Sequence, residues 1–279
     1  PRLARMSRHE RHPVEDFLFE YYSYRPAQLL RWHPGLGFAL ENGGEYLSHK
    51  GYHETATGVF ADPSTLAVPR RESIRWLRDM LAATAARTAA MGCFGLHEWA
   101  MVYRAESVRH EHWPLRLTPA EIARIVEDIG PRCTHFDAFR FFTPAARPLN
   151  KYQPARPTIT DLEQPGCLHT NMDLYKWAIK LQPFSASELV ADCFALAREI
   201  RRLDMRASPY DFSTMSLAPV RIETPEGRAE YETAQRDFAR RSVPLRQRLT
   251  AVCDEILGAA PPSRGVPRTR PPRAATTTP

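Results

Sequence analysis

Apolar side chains recur at the spacing of an α-helix along most of this sequence, and this limits the possible folds more than any other feature. The clearest case is residues 186–204, where one helical face carries Leu189, Cys193, Leu196, Ile200 and Leu203. Related patterns predict helices over 14–24, 70–91, 119–129, 170–181 and 226–257. We expect Pro244 to interrupt or kink the last of these.

Strand signals are few by comparison. Residues 44–47 and 218–223 are the best candidates, and we predict that they form a short pair. The sequence contains no glycine-rich phosphate loop and no internal repeat. The expected fold is therefore mainly α, a single helical domain with a long proline-rich loop and at most a short β-hairpin.

The charge distribution suggests three regions. We predict a basic N-terminal arm (1–12), a helical catalytic domain (13–258) and a disordered tail rich in Pro, Arg and Thr (259–279). The net charge of the chain is +6, of which the arm carries +3 and the tail +4, so the domain between them is at −1. Basic ends of this kind can hold DNA phosphates without sequence specificity.

The composition also bears on the cellular compartment. No apolar run approaches the roughly 20 residues that cross a bilayer, so we expect no membrane partner. The first residues lack the apolar stretch of a secretory signal. The five cysteines are widely spaced and form no Cys-x-x-Cys pair. We therefore predict a cytoplasmic protein with free thiols.

Residues 143–168 contain five prolines and show little periodicity. Structureless segments of this length are uncommon in compact domains and often serve as binding loops or lids. The alternative is a proline-stiffened strap across the surface. The segment that follows it carries the strongest candidate site.

That segment places His169, Asp173 and Lys176 on one stripe of a predicted helix. A histidine at a helix start with a carboxylate one turn later can bind a metal or work as an acid–base pair. Lys176 can hold an anion or lower the pKa of Asp173. The alternative is a solvated face with Asp–Lys pairs.

Two further segments combine histidine with a carboxylate. His97 and Glu98 are adjacent, and on a helix they point about 100° apart, so they can serve one centre only if the helix begins there. His135 and Asp137 alternate with aromatic residues, which indicates either a packed core or a wall for a flat ligand. For each histidine, a buried core position with one hydrogen bond is the competing interpretation.

Taken together, these residues have the composition of a metal centre in a helical bundle, with His97, His135 and His169 as ligands beside Asp137, Asp173 and Asp204. A divalent Fe, Zn or Mn ion would then support a hydrolase or oxygenase acting on a small molecule. A third possibility is a helical binding protein without enzymatic activity.

Several long strings resemble a known family. They are HPVEDFLFEYYSYRPAQLLRWHPG (12–35), FGLHEWAMVYR (94–104), HFDAFRFF (135–142), LHTNMDLYKWA (168–178) and LDMRASPYD (203–211). They are similar to bacterial proteins, common in actinobacteria, that carry the label 3-methyladenine DNA glycosylase. The resemblance spans most of 12–250. It implies a DNA-repair hydrolase that removes alkylated purines without a cofactor, with DNA as its partner.

A glycosylase of this kind would need a pocket that stacks a cationic base, drawn from Phe136, Phe139, Tyr175 or Trp177. It would also need a carboxylate, Asp173 or Asp137, to stabilise the developing positive charge on the sugar. Residues 33–37 (HPGLG) echo the hairpin of helix–hairpin–helix glycosylases, but the next aspartate is Asp62, beyond the usual interval. No catalytic residue is therefore carried over from those enzymes.

Overall fold

A computed structural model describes residues 2–10, 12, 14–107 and 113–259. Within these the fold is mainly α, as predicted. In chain order the helices are α1 (Arg2–Ser7), α2 (Phe17–Tyr21), α3 (Pro26–Leu29), α4 (Val68–Ala86), α5 (Leu96–Ala100), α6 (Pro119–Ile129), α7 (Phe136–Phe139), α8 (Ile159–Leu162), α9 (Leu168–Lys180), α10 (Ser187–Arg206) and α11 (Pro225–Gly258). The strands are β1 (Ala39–Leu40), β2 (Tyr52–Thr55) and β3 (Gly58–Ala61).

The core lies where α9 packs against α10 and α11, and α11 packs against α4. The apolar stripe of α10 predicted above is buried here, with Cys193 and Ile200 fully inaccessible. Complete burial of an aliphatic side chain stabilises the fold by about 1.5–3 kcal/mol. These contacts place α9 in the core, and α9 carries the strongest candidate site residues.

Local signals set several helix ends. Thr118 and Glu121 form a reciprocal capping box at the start of α6, and Pro119 takes the first helical position. The end of α11 is held by Arg71 of α4, whose Nη2 donates to the carbonyl oxygens of Leu257 (2.9 Å) and Ala259 (2.7 Å).

The predicted interruption of α11 does not occur, because the helix runs continuously through Pro244. Pro244 lies on the exposed face of the helix. Water can therefore satisfy the carbonyl group that loses its helical donor there.

The sheet differs from the predicted strand pair. Its order is β1–β3–β2, all antiparallel, with a two-residue turn between β2 and β3. Residues 44–48 form a 3-10 helix, and 218–223 form no strand. Val220 and Ile222 are fully buried in irregular chain, so core packing explains the apolar spacing that suggested a strand.

The predicted N-terminal arm is partly helical. Arg5 forms an ion pair with Asp16, so α1 is attached to the segment that leads into α2. The helix predicted over 14–24 is shorter, because only Phe17–Tyr21 is helical. Of the predicted tail, only Ala259 falls within the described residues.

The proline-rich stretch is a packed strap with short helical turns. It contains 3-10 turns at Arg147–Leu149 and Arg156–Thr158 and then α8. Its last part is buried at Glu163 and Gln164, so it delivers a carboxylate into the interior. Within the described residues, no helix combines the length and apolar character needed to cross a membrane.

Candidate active site

Three histidines that are far apart in sequence meet in the interior. His97 lies in α5, His135 immediately precedes α7, and His169 lies in the first turn of α9. The ring centroids of His97 and His169 are 4.3 Å apart, and those of His135 and His169 are 5.4 Å apart. His169 is therefore the central ring of the group.

His97 faces a carboxylate of α10. Its Nε2 lies 3.1 Å from Oδ1 of Asp204, and both side chains are almost completely buried. The two atoms are within hydrogen-bonding distance and attract each other when His97 is protonated, but no well-aligned hydrogen bond joins either atom to a described residue. Burying a nitrogen and a carboxylate oxygen this way is costly unless a proton or a metal ion between them compensates both atoms.

Glu98 lies beside this pair. Its Oε1 is 3.8 Å from Nε2 of His97 and accepts a 3.0 Å hydrogen bond from Arg201. Adjacent residues can converge here because α5 begins at Leu96, directly after Gly95 in the left-handed region (φ +69°). Arg201 also donates to Oδ2 of Asp204 at 2.8 Å, which orients the carboxylate so that Oδ1 faces His97.

His135 is oriented by the strap. Its Nδ1 lies 2.7 Å from Oε1 of Glu163, whose other oxygen accepts from Thr170. A carboxylate on one ring nitrogen fixes the orientation of the ring and leaves the other nitrogen to face the site. That nitrogen, Nε2, lies 3.8 Å from Oδ2 of Asp173 and has no hydrogen-bond partner among the described residues.

Asp173 is held from two further sides. Tyr22 donates to Oδ1 at 2.8 Å, and Lys176 bonds to Oδ2. The Lys176 ammonium is also 3.8 Å from Oδ2 of Asp137. Lys176 therefore occupies the position between the two carboxylates where a cation is most strongly attracted.

These surroundings shift the pKa values of the cluster. For His97 burial lowers the pKa, but Asp204 and Glu98 outweigh it, so the pKa is raised. For His135 Glu163 outweighs burial in the same way and raises the pKa. Burial and the neighbouring His97 hold the pKa of His169 well below its ordinary value. His169 is therefore neutral, the form that binds a metal.

Among the described residues, two sets of three side chains have ligand atoms within 4.8 Å of one another, His97–His169–Asp204 and His135–Asp137–Asp173. Two ligands of one ion, each about 2.0–2.2 Å from it, are about 2.8–3.6 Å apart for bond angles between 90° and the tetrahedral angle, and the 3.1 Å between His97 and Asp204 lies in this range. In the second set the Lys176 cation bonds to Oδ2 of Asp173, the oxygen that faces His135. In the first set Arg201 bonds to Oδ2 of Asp204 and leaves Oδ1 facing His97. The first set is thus the better metal centre.

A cavity of about 320 Å³ opens beside the second set. It is lined by His135, Asp137, Asp173 and Lys176, and by Phe136 and Trp177. Phe139 and Tyr175, which the sequence also offered as stacking rings, are buried in the core and do not line it. A smaller cavity joins Asp137 to His169 and Glu98.

Sequence reasoning did not single out Glu163, Arg201 or Tyr22. Glu163 lies in an aperiodic stretch and gives no signal. Arg201 does give one, since it is a cation three residues before Asp204 on a helix that buries most of its neighbours. Tyr22 belongs to the segment 14–24, which was predicted only as a helix.

The fold and the cluster define a helical protein with a buried histidine–carboxylate centre beside a cavity. Comparison of the chain with protein-family models, with characterised proteins and with solved structures gave no significant match. The function of this chain is therefore inferred from its own residues.

Proposed function

We propose that this chain is a metal-dependent enzyme, a hydrolase or an oxygenase, in which His97, His169 and Asp204 bind a divalent Fe, Zn or Mn ion. The observation that carries the proposal is that Nε2 of His97 and Oδ1 of Asp204 are buried 3.1 Å apart, with no well-aligned hydrogen bond to any described residue. A metal ion between them would bind both atoms at once, in place of the proton that the raised pKa of His97 favours.

The ligand set supports catalysis better than a purely structural role. Three protein ligands leave coordination positions open for water, dioxygen or substrate, whereas structural zinc sites are usually closed by four. Two histidines and one carboxylate with open positions are typical of non-haem iron oxygenases and of hydrolytic zinc sites. Glu98 is the nearest further carboxylate and can act as a fourth ligand or as a base.

The second set supplies the acid–base and charge-holding groups in this proposal. Asp173, Lys176 and Asp137 face the cavity, and His135 connects them to the metal centre by stacking on His169. The cavity volume of about 320 Å³ favours a small molecule over a polymer. Five free thiols favour a reducing compartment such as the cytoplasm.

The test is elemental analysis of the purified protein by plasma mass spectrometry. We expect about one Fe, Zn or Mn ion per chain, and at least a tenfold loss in His169→Ala. His53→Ala is the matched control, because His53 is exposed on β2 and far in sequence from the cluster. Circular dichroism checks that both variants are folded. Metal-free wild-type protein after growth with supplemented metals, or unchanged metal in His169→Ala, would contradict the proposal.

A base-excision glycosylase acting on alkylated purines, with DNA held by the basic termini, is the second candidate. It is supported by the family resemblance and by Phe136 and Trp177 lining a cavity with Asp137 and Asp173. It ranks second because Lys176 already compensates Asp173, the carboxylate that would stabilise the sugar cation. Release of 3-methyladenine from alkylated DNA, abolished in Asp173→Asn and independent of chelators, would favour it over the metal-dependent enzyme.

A further inference from the structure

The cavity beside His135 has aromatic and aliphatic walls. The indoles of Trp76 and Trp177 meet edge to face with centroids 6.0 Å apart, and Phe136 also lines the cavity. Met80, Leu81 and Ile159 complete the apolar lining. Such walls favour a flat, apolar body in the ligand.

Two of the four lysine and arginine side chains that line this cavity are exposed. Arg156 and Lys180 both line it and are exposed, and in the described part of the chain neither has a carboxylate within ion-pair distance. They lie against the aromatic walls, with the Arg156 guanidinium 5.8 Å from the Phe136 ring and the Lys180 ammonium 5.2 Å from the Trp177 ring. Both are placed to meet a negative group.

The other charges at the cavity have partners. Glu163 is bonded by His135 and Thr170, and Asp173 by Tyr22 and Lys176. Asp137 lies 3.2 Å from the Arg140 guanidinium. The fourth cation, Arg246, donates at 2.6 Å to the neutral side chain of Asn171 and keeps its charge, but it is buried. The charge left for a ligand is therefore positive, and its exposed part belongs to Arg156 and Lys180.

We propose that this cavity binds a small flat aromatic anion, one or two rings bearing a carboxylate or a similar acidic group. The ring lies against Phe136 and Trp177, and the acidic group lies between Arg156 and Lys180. Such an anion would be the substrate class of the proposed enzyme, and calling it a substrate rests on the proposed function. The binding itself needs no metal.

Matched probes that differ only in charge test the proposal. Isothermal titration calorimetry measures the affinity of the full chain for 2-naphthoate, for neutral 2-naphthamide and for cationic 2-naphthylmethylamine. We expect the anion to bind about tenfold or more tightly than the amide, and the amine to bind weakest, because only the anion meets Arg156 and Lys180. Binding of 2-naphthoate should weaken as salt is raised.

Variants then assign the site. Arg156→Met with Lys180→Met should remove most of the preference for the anion, and Trp177→Leu should weaken all three probes. Arg124→Met with Lys50→Met is the matched control, because it removes the same two charge types from residues that do not line the cavity. Equal affinity for the three probes, or an unchanged preference in the Arg156/Lys180 variant, would overturn the proposal.

The same titration after metal removal separates this inference from the metal centre. Preferential binding of the anion by protein that contains no metal under any condition would support the cavity assignment and contradict the proposed metalloenzyme. A bound metal together with equal affinity for all three probes would support the metalloenzyme and overturn the cavity assignment.

Discussion

Glu163 is the residue whose role is least visible in the sequence. Its carboxylate is buried, bonded to His135 on one side and to Thr170 on the other. It therefore ties the proline-rich strap to the start of α9. A carboxylate in this position orients the histidine and also stabilises the fold, because charge-assisted hydrogen bonds are about twice as strong as neutral ones.

We expect Glu163→Gln to lower the free energy of unfolding by about 1–3 kcal/mol, since a buried charged partner is replaced by a neutral one. Urea denaturation followed by circular dichroism measures this. Glu41→Gln, at an exposed position, is the control and should change stability by less than about 0.5 kcal/mol. Equal effects in the two variants would refute the role of Glu163.

The buried His33 should make the free energy of unfolding depend on pH. Its ring is buried and lies 2.8 Å from the hydroxyl of Tyr52. Burial, assisted by Arg31 and His49, lowers its pKa to about 4. The unfolded chain, in which the pKa is the ordinary 6.5, therefore takes up the proton first. Stability should fall as the pH drops below 6.5 and should continue to fall until about 4.

The variant His33→Gln should lose this part of the pH dependence. The slope of unfolding free energy against pH should be shallower by up to about 1.4 kcal/mol per pH unit in that window. Urea titrations at a series of pH values give the slope. Parallel curves for the variant and the wild-type protein would show that another group is responsible.

Residue spacing predicted part of the candidate site and missed the rest for a physical reason. The stripe of His169, Asp173 and Lys176 follows from helical geometry, and the structure has Asp173 and Lys176 in contact. The partners of His169 and His135 come from α5, α10 and the strap. Which of these meet depends on how the helices pack, and no local pattern in the sequence encodes that.

At the level of elements, local signals decided which predictions were accurate. Helix α6 was predicted from end to end, because its capping box and first-turn proline are local. The predicted strand pair was wrong, because the apolar residues of 218–223 are buried by surrounding helices without pairing. Pro244 was expected to disturb α11, but the helix is continuous and packs on α4, α9 and α10.

Pro244 should nevertheless cost stability. Replacing it with alanine restores the backbone donor to Arg240 and removes the ring that crowds the preceding turn. We expect Pro244→Ala to raise the free energy of unfolding by about 1–2 kcal/mol, less than the full cost of an interior proline because the unfolded chain also gains freedom. The exposed neighbour Val243, changed to alanine, is the control in the same urea assay. A destabilised Pro244→Ala would mean that the helix is shaped around the proline.

Gly35 links the loop of residues 33–37 to the start of α10. Its φ is +83°, and a Cβ there would lie 2.8 Å from the backbone nitrogen of Ala186. Gly37 has nearly the same φ, +81°, but a Cβ there would meet nothing within 4 Å. We expect Gly37→Ala to cost about 1 kcal/mol from backbone strain alone and Gly35→Ala clearly more. Equal decreases in Tm for the two variants would mean that the backbone at the start of α10 shifts to accommodate the added Cβ at little cost.

At the scale of the whole molecule, the proposed metal should stabilise the native state, because the assembled site exists only there. A ligand present at about 1,000 times its Kd adds about 4 kcal/mol. We therefore expect chelation to lower the Tm by about 2–4 °C for each kcal/mol lost and re-addition of metal to restore it. His169→Ala should not respond to chelation, whereas His53→Ala should respond as the wild-type protein does. A Tm unaffected by chelation in protein shown to contain metal would place the ion elsewhere.

The separation of the proposed ligands along the chain has a kinetic consequence. His97, His169 and Asp204 lie on three helices, and 71 residues separate the first ligand from the second. Closing such long loops costs entropy that only the packed core offsets, so no early fragment can assemble the site. Tight metal uptake should therefore begin only as α5, α9 and α10 come together. In a refolding experiment, tight binding of the ion would therefore report the last stage of folding, when the core becomes packed.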